Sequence, residues 1–222
     1  MKLILVRHGE SEANAAGLLA GRRDFALTSR GEDQAHSAGL VAAEMAGLRV
    51  ARVLSSPLSR CRRTATPIAA AARVAVEPAA EWIELDYGSW DGRALADVSS
   101  AQWREWRGDP DWAPPGGESL RSVHDRVAAA IERLRLEAVG SMAPHKSRAE
   151  SGDDRGGAAG DVVVVSHVSP IKAAICWALG VGPEASWKLR LEPAAWVELD
   201  LVAPALLLLS SVDRLRPTTA EP

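Results

Sequence analysis

The sequence contains few cysteines, because its 222 residues include only Cys61 and Cys176, which lie far apart. Two cysteines cannot form the disulfide framework of a small secreted protein, so we expect a reducing, cytoplasmic location. The chain does not begin with a basic segment followed by a cleavable apolar stretch, and no signal peptide is predicted. The longest apolar run near the C-terminus, Leu201–Leu209, is too short to span a bilayer.

A strong excess of either charge is also missing. The 26 Lys and Arg residues and the 29 Asp and Glu residues leave a net charge of -3. This balance predicts neither nucleic acid nor a membrane surface as a partner, so any anion must be recognised by local cations. Closely spaced pairs of histidine or cysteine, which commonly bind metals, are absent, and we expect no metal and no cofactor.

Strand-like and helix-like patterns alternate along the chain, which favours an α/β fold. We predict a three-layer α/β/α sandwich with a mostly parallel central sheet, in one domain over residues 1–213. The run of four valines at 162–165 is typical of a central strand that is buried on both faces. The predicted strands are Lys2–Val6, Arg52–Ser55, Arg73–Glu77, Val162–Val165, Leu189–Leu191, Trp196–Leu201 and Leu206–Leu209. The predicted helices are Ser29–Met45, Leu58–Ala72, one that starts at Ser119, and Pro170–Leu179.

Three segments depart from this alternation. Residues 82–117 contain five of the eight tryptophans, and we expect a cap of short helices and loops beside the sheet. Residues 140–160 are polar and glycine-rich, which indicates a flexible insertion. Residues 214–222 are expected to form a loose tail. The apolar strands near the C-terminus either complete the sheet or form the interface of a homodimer.

Two histidines stand at the ends of strongly apolar strands. His8 follows Arg7 directly after the first strand, and His167 follows the valine strand. If these strands are neighbours in a parallel sheet, both imidazoles meet in one crevice. Arginine suits a phosphate because its guanidinium donates two parallel hydrogen bonds. A run with three arginines that begins at Arg60 opens a predicted helix, where free N–H groups also favour an anion.

Five segments, in this order, resemble the histidine phosphatase superfamily, the phosphoglycerate mutase-like group known for its Arg-His-Gly motif. They are Arg-His-Gly-Glu-Ser at 7–11 with Asn14, Ser-Pro-Leu-Ser-Arg at 56–60 with Thr64 and Ala65, Glu-Leu-Asp-Tyr-Gly-Ser-Trp-Asp-Gly at 84–92, Pro-Gly-Gly-Glu-Ser at 115–119 and Val-Val-Ser-His at 164–167. At residues 168–170 the sequence departs from the common pattern of this family. This departure leaves open which backbone N–H reaches a phosphate near His167.

The resemblance implies a role for each matching residue. His8 is the expected nucleophile, which takes the phosphoryl group as a phosphohistidine, and Glu84 is the expected proton donor to the leaving oxygen. The residues expected to hold the phosphate and the rest of the substrate are Arg7, Arg60, His167, Asn14 and Gly21. The rival carboxylates for the proton donor are Glu81, Asp86, Asp91 and Glu118. Glu118 also suits a simpler role beside the helix dipole at Ser119.

We therefore predict a metal-independent phosphatase that acts on a small phosphorylated metabolite. A phosphoglycerate mutase is the alternative. Mutases of this family carry a basic segment after the acid motif, whereas residues 90–117 contain only three arginines and no lysine, which favours hydrolysis. A catalytically inactive phosphate-binding protein is a third alternative, and it is disfavoured because His8, Arg60 and Glu84 are all present.

Overall fold

A six-stranded sheet lies at the centre of the fold, within residues 1–45, 48–141 and 160–215, which the computed structural model describes. Its strands are β1 (Lys2–Arg7), β2 (Val50–Ser55), β3 (Val76–Pro78), β4 (Asp161–Ser166), β5 (Ala195–Asp200) and β6 (Ala205–Ser211). They lie in the order β3-β2-β4-β1-β5-β6. The first four strands of this order are parallel to one another, β5 is antiparallel to β1, and β6 is antiparallel to β5. The prediction of a mostly parallel sheet is confirmed.

Both faces of the sheet are covered by helices. These are α1 (Glu12–Ala15), α2 (Ser29–Glu44), α3 (Ser59–Ala72), α4 (Ser100–Gly108), α5 (Leu120–Ser141), α6 (Val168–Leu179) and α7 (Val212–Leu215). Successive strand side chains point to opposite faces. Accordingly, Ile4 and Val163 pack with residues of α2 and α3, whereas Leu3 and Val164 pack with residues of α5 and α6. The three-layer α/β/α arrangement is therefore confirmed.

Two predicted strands differ from the structure. The strand predicted at Leu189–Leu191 is wrong, because the chain turns at Pro193 and Ala194 and pairing begins only at Ala195. Ala194 takes a left-handed φ of 57°, and Ala195 donates a hydrogen bond to the Glu192 carbonyl, which closes the turn. The strand predicted from Arg73 begins at Val76 instead, since Arg73 caps α3 with a left-handed φ of 57°.

The tryptophan-rich segment consists of three 3-10 helices, helix α4 and loops, beginning just before residue 82. Its tryptophans pack mainly against each other, with Trp106 in ring contact with Trp90, Trp103 and Trp112.

Within the predicted insertion at 140–160, residues 142–159 lie outside the described residues, as do residues 216–222 of the predicted tail. Residues 214 and 215 of that tail end helix α7. Among the described residues, no helix combines the length and apolar character that crossing a membrane requires.

Candidate active site

The candidate site lies where the carboxyl ends of three neighbouring strands meet. β1 lies beside β4, and Arg7 is paired with Ser166, so the residues that follow these strands become neighbours. The imidazole rings of His8 and His167 stand 5.1 Å apart between centroids, with an interplanar angle of 65°. Arg60, in the first turn of α3, follows the third of these strands, β2. The predicted convergence of the two histidines is present.

The ring of His8 is buried, and its orientation is set by a local contact. Its Nδ1 lies 2.7 Å from the carbonyl oxygen of Gly9. Because a carbonyl only accepts hydrogen bonds, Nδ1 carries the proton and Nε2 keeps a free lone pair. Burial, together with the positive charges of Arg7 and Arg60, holds the pKa of His8 well below its usual range. His8 therefore presents a neutral, unprotonated nitrogen, as a nucleophile requires.

Two guanidinium groups surround this ring, and their main hydrogen-bond partners are backbone carbonyls. Arg60 is fully buried and donates to the carbonyl oxygens of Gly21 at 2.8 Å and Arg23 at 3.0 Å. Arg7 donates to the carbonyl of Leu191 at 2.6 Å. Burial lowers the pKa of Arg7, while the negative charge of Glu84 opposes this shift. These carbonyls carry no net charge, and a carboxylate oxygen of Asp24 lies 3.9 Å from Nη1 of Arg60, so both guanidinium groups can still attract an anion.

The buried Nε atoms of both arginines are further donors. Neither Nε of Arg7 nor Nε of Arg60 has a hydrogen-bond acceptor within the part of the chain that the structure describes. A buried donor without an acceptor costs about 1–3 kcal/mol. An anion that brings oxygen acceptors into the site would reduce this cost.

The second histidine is held by residues that follow β2. Nε2 of His167 lies 2.7 Å from the hydroxyl oxygen of Ser56 and 3.3 Å from the sulfur of Cys61. Burial is the main cause that holds the pKa of His167 well below its usual range, and the nearby His8 and Arg60 lower it further. His167 is thus also neutral, and a change of its hydrogen-bond partner would change its orientation.

Glu84 is a buried carboxylate beside the amino end of α6. Its side chain is only 3% exposed, and Oε1 accepts hydrogen bonds from the backbone N–H of Leu85 at 2.7 Å and Ser169 at 3.2 Å. Arg126 supports the segment from behind by donating to the carbonyl oxygens of Glu81 and Glu84. In this structure the N–H of Ser169, within the segment where the sequence departs from the common pattern, is therefore bound to Glu84.

The family model described as histidine phosphatase superfamily (branch 1) matches residues 3–210. The chain belongs to the histidine phosphatase superfamily. It is 34% identical over 200 residues to phosphoserine phosphatase 1 of Hydrogenobacter thermophilus, covering 88% of this chain and 84% of the relative. It is 28% identical over 205 residues to the adenosylcobalamin/alpha-ribazole phosphatase of Escherichia coli, covering 90% of each chain. Together, the family and its phosphatase-named members identify this histidine phosphatase as an enzyme of the phosphatase type.

The fold comparison agrees with this assignment. The crystal structure of a mutant phosphoserine phosphatase from Entamoeba histolytica in complex with phosphoserine superimposes with a TM-score of 0.75 and 25% identity. The match covers 97% of this chain and 99% of that chain. The phosphoglycerate mutase-like fold expected from the sequence is therefore confirmed for this histidine phosphatase.

Asn14 and Gly21, which the sequence predicts to contact the substrate, already have hydrogen-bond partners within the protein. Oδ1 of Asn14 accepts hydrogen bonds from the backbone and side chain of Ser11, which caps the short helix α1. The N–H of Gly21 donates to Asp91, and its carbonyl accepts from Arg60. A Cβ at Gly21 would lie 2.8 Å from a ring carbon of Tyr87, so only glycine fits there. Their contacts with a substrate stay predictions of the family resemblance.

The four rival carboxylates of this histidine phosphatase are each engaged by a cation or by backbone N–H groups. Glu84 also accepts hydrogen bonds from backbone N–H groups and, like Asp91, forms no ion pair within the described residues, but it is the most buried of the five. The partners of the rivals are Arg133 for Glu81, Arg22 for Asp86, the backbone N–H groups of Gly21 and Arg23 for Asp91, and Arg126 for Glu118. Glu118 also lies directly before Ser119 at the amino end of α5, as the simpler expectation had it, and there it pairs with Arg126 of the same helix.

The structure adds site residues to which the sequence assigned no role. Ser56 contacts His167, and Thr64 accepts a hydrogen bond from the N–H of Gly9 at 3.1 Å, which ties the turn after His8 to helix α3. Ser56 and Thr64 both belong to a quoted motif, so the motif was the available signal for them. Lys172 lies outside the five matching segments, and the structure places it on the wall of a cavity together with Trp103 and Trp106.

A cavity of about 130 Å³, the tryptophan pocket, lies beside Ser169, whose backbone N–H binds Glu84. Its lining includes Tyr87, Trp103, Trp106, Trp187, Ser169 and Lys172.

Proposed function

We propose that this phosphatase hydrolyses small phosphate monoesters through a phosphohistidine on His8, without a metal ion and with Glu84 as proton donor. The observation that carries the proposal is the state of His8. Its Nδ1 is tied to the Gly9 carbonyl, its Nε2 is unprotonated, and the guanidinium groups of Arg7 and Arg60 both lie close enough to lower its pKa. A nucleophilic nitrogen surrounded by cations suits attack on an anionic phosphorus centre.

The first step forms a bond between Nε2 of His8 and phosphorus, while the bond from phosphorus to the ester oxygen breaks. The leaving oxygen takes a proton from the carboxyl group of Glu84, since an alkoxide is a poor leaving group. In the second step Glu84 accepts a proton from water, and the water oxygen attacks phosphorus. The bond from nitrogen to phosphorus then breaks, which releases inorganic phosphate and restores both residues.

Charge stabilisation in both steps falls to the surrounding side chains. Phosphoryl transfer depends chiefly on alignment and on the stabilisation of charge on the phosphoryl oxygens. We assign this role to Arg7, Arg60 and His167, since both guanidinium charges act on His8 and the ring of His167 lies 5.1 Å from that of His8, with Asn14 as an additional contact implied by the family resemblance. Two guanidinium groups are sufficient to balance a phosphate dianion, which is why the proposal includes no metal.

The proposed partner is a small phosphorylated metabolite. The tryptophan pocket of about 130 Å³ offers room beside Glu84 for a group of the size of one ring, since a cavity of about 150 Å³ binds benzene. The cytoplasmic location, the lack of a nucleic acid or membrane partner and the homodimer stay predictions from the sequence.

The test is hydrolysis of p-nitrophenyl phosphate in the presence of EDTA, together with trapping of the phosphoenzyme. We expect the wild-type enzyme to turn over and to carry an acid-labile phosphoryl group on His8, found by mass spectrometry of rapidly quenched enzyme. His8→Ala should lack both activities, whereas His36→Ala, a matched change on helix α2, should retain them. Equal rates in wild type and His8→Ala, or a trapped phosphoryl group on another side chain, would contradict the mechanism.

A further inference from the structure

Lys172 occupies an unusual position next to the proposed catalytic acid. It lies on α6 three residues after Ser169, whose N–H binds Glu84, and residues three apart share one side of a helix. Both residues line the tryptophan pocket. Lys172 also experiences the charges of Glu84 and Arg7, so it stands close to the reaction centre.

The ammonium group of Lys172 is paired with no carboxylate among the described residues. The side chain is half-buried, and within residues 1–45, 48–141 and 160–215 it forms neither an ion pair nor a hydrogen bond. Burial lowers the pKa of Lys172, and the negative charge of Glu84 opposes this change. A cation on an apolar wall is costly unless it is paired, so this position favours a ligand that brings an anion.

The walls around Lys172 are aromatic and already packed. The rings of Trp103 and Trp106 are stacked, with centroids 5.5 Å apart, and Trp187 meets Trp106 edge-on at 5.0 Å. The guanidinium of Arg107 lies over Trp103 and Trp187, at 5.4 Å and 5.7 Å from their centroids. These mutual contacts hold the walls in place and leave a cavity that suits one flat ring.

We propose that Lys172 determines substrate specificity by binding a carboxylate on the alcohol part of the phosphate ester. The preferred substrate is then a monoester of a small, flat, largely apolar alcohol that carries one carboxylate. The ring of this alcohol lies in the tryptophan pocket, its ester oxygen faces Glu84, and its carboxylate pairs with Lys172. This inference rests on the proposed function, because it uses the same phosphate site.

The test measures hydrolysis of two esters by wild type and by Lys172→Met. One ester is phenyl phosphate, and the other is 3- or 4-carboxyphenyl phosphate, whichever the wild-type enzyme hydrolyses better. Methionine keeps the length and apolar stem of lysine and removes only its charge. We expect kcat/KM for the carboxyphenyl ester to fall about ten- to a hundredfold in the variant, chiefly through KM, which is the range for one charged hydrogen bond. The value for phenyl phosphate should change less than about threefold.

Lys188→Met is the matched control. Lys188 is exposed at the end of the segment that supplies Trp187 and does not line the pocket. It should leave both esters unaffected. Equal losses on both esters in Lys172→Met would overturn the proposal, because Lys172 would then act on Glu84 or on the fold. An unchanged ratio between the two esters would overturn it as well.

A binding measurement separates this inference from the proposed function. Benzylphosphonate and 4-carboxybenzylphosphonate cannot be hydrolysed, and calorimetry reports their affinities without turnover. Tighter binding of the carboxylated compound to wild type, lost in Lys172→Met, would support the role of Lys172 even if hydrolysis failed. Equal affinities of the two compounds for wild type would refute it even if hydrolysis succeeded.

Discussion

Replacing Glu84 with glutamine removes the proposed proton donor while preserving its contacts. The carboxylate is buried, and its Oε1 accepts hydrogen bonds from the N–H groups of Leu85 and Ser169. The amide oxygen of glutamine has the same size and accepts the same two bonds, although without a negative charge. We therefore expect Glu84→Gln to lose less than about 2 kcal/mol of unfolding free energy.

The catalytic loss should be much larger, and it should depend on the leaving group. Loss of a general acid typically costs about a hundred- to ten-thousandfold in rate, or about 3–5 kcal/mol. p-Nitrophenolate is a stable anion and leaves without a proton, so the first step should survive in Glu84→Gln. The second step needs Glu84 as a base and should become slow. The phosphoenzyme should then accumulate.

The assay is rapid-mixing spectroscopy with p-nitrophenyl phosphate, followed by steady-state rates with phenyl phosphate and an alkyl phosphate. We expect a burst of about one nitrophenolate per Glu84→Gln active site, and a loss of kcat/KM, which reports the first step, that grows from the nitrophenyl to the alkyl ester. Glu81→Gln is the control. Glu81 lies three residues before Glu84 in the sequence, and its carboxylate pairs with the exposed Arg133 at 2.8 Å. Equal losses for all three esters without a burst would refute the assignment of Glu84.

Two further predictions concern the histidines. Ser56→Ala removes the hydroxyl 2.7 Å from Nε2 of His167, and we expect kcat to fall about tenfold or more with a nearly unchanged melting temperature. Steady-state kinetics and thermal unfolding check this, and an unaltered kcat would show that the contact does not orient the ring. Burial lowers the pKa of both His8 and His167. Below about pH 6.5 the unfolded chain therefore binds more protons than the folded chain, and the free energy of unfolding should fall as the pH falls through this range. Urea unfolding at a series of pH values checks the sign, and a His8→Gln variant should show a weaker dependence.

Much of the fold was predictable because its signals are local. The valine run predicted a strand buried on both faces, and every residue of β4 is buried. The predicted strand at Leu189–Leu191 was wrong, since an apolar triplet does not reveal that Pro193 and Ala194 end the extended segment before pairing begins. Short apolar segments acquire their structure from what they pack against, and their sequence carries little of that information.

The candidate site was predictable to a similar extent. His8, Arg7, Arg60, His167 and Glu84 were singled out from motifs, and the structure brings them together. Among five possible proton donors, by contrast, only the family motif favoured Glu84 over its rivals. Their burial and partners separate them, because those depend on residues far apart along the chain, such as Arg133 and Glu81, which are 52 residues apart, and Ser169 and Glu84, which are 85 apart.

By itself, the amino-acid sequence determined which residues end each apolar strand, and so which chemical groups could reach the edge of a parallel sheet. The hydrogen bond from Nδ1 of His8 to the Gly9 carbonyl joins neighbouring residues, but the turn that forms it is tied to helix α3 by the contact of Gly9 with Thr64. Only the tertiary structure decided that Ser169 binds Glu84 and that Lys172 lines an aromatic pocket with no ion-pair partner among the described residues. The physical reason is that hydrophobic periodicity and hydrogen bonds between neighbouring residues depend on the local sequence, whereas burial and charge pairing arise when distant segments pack together.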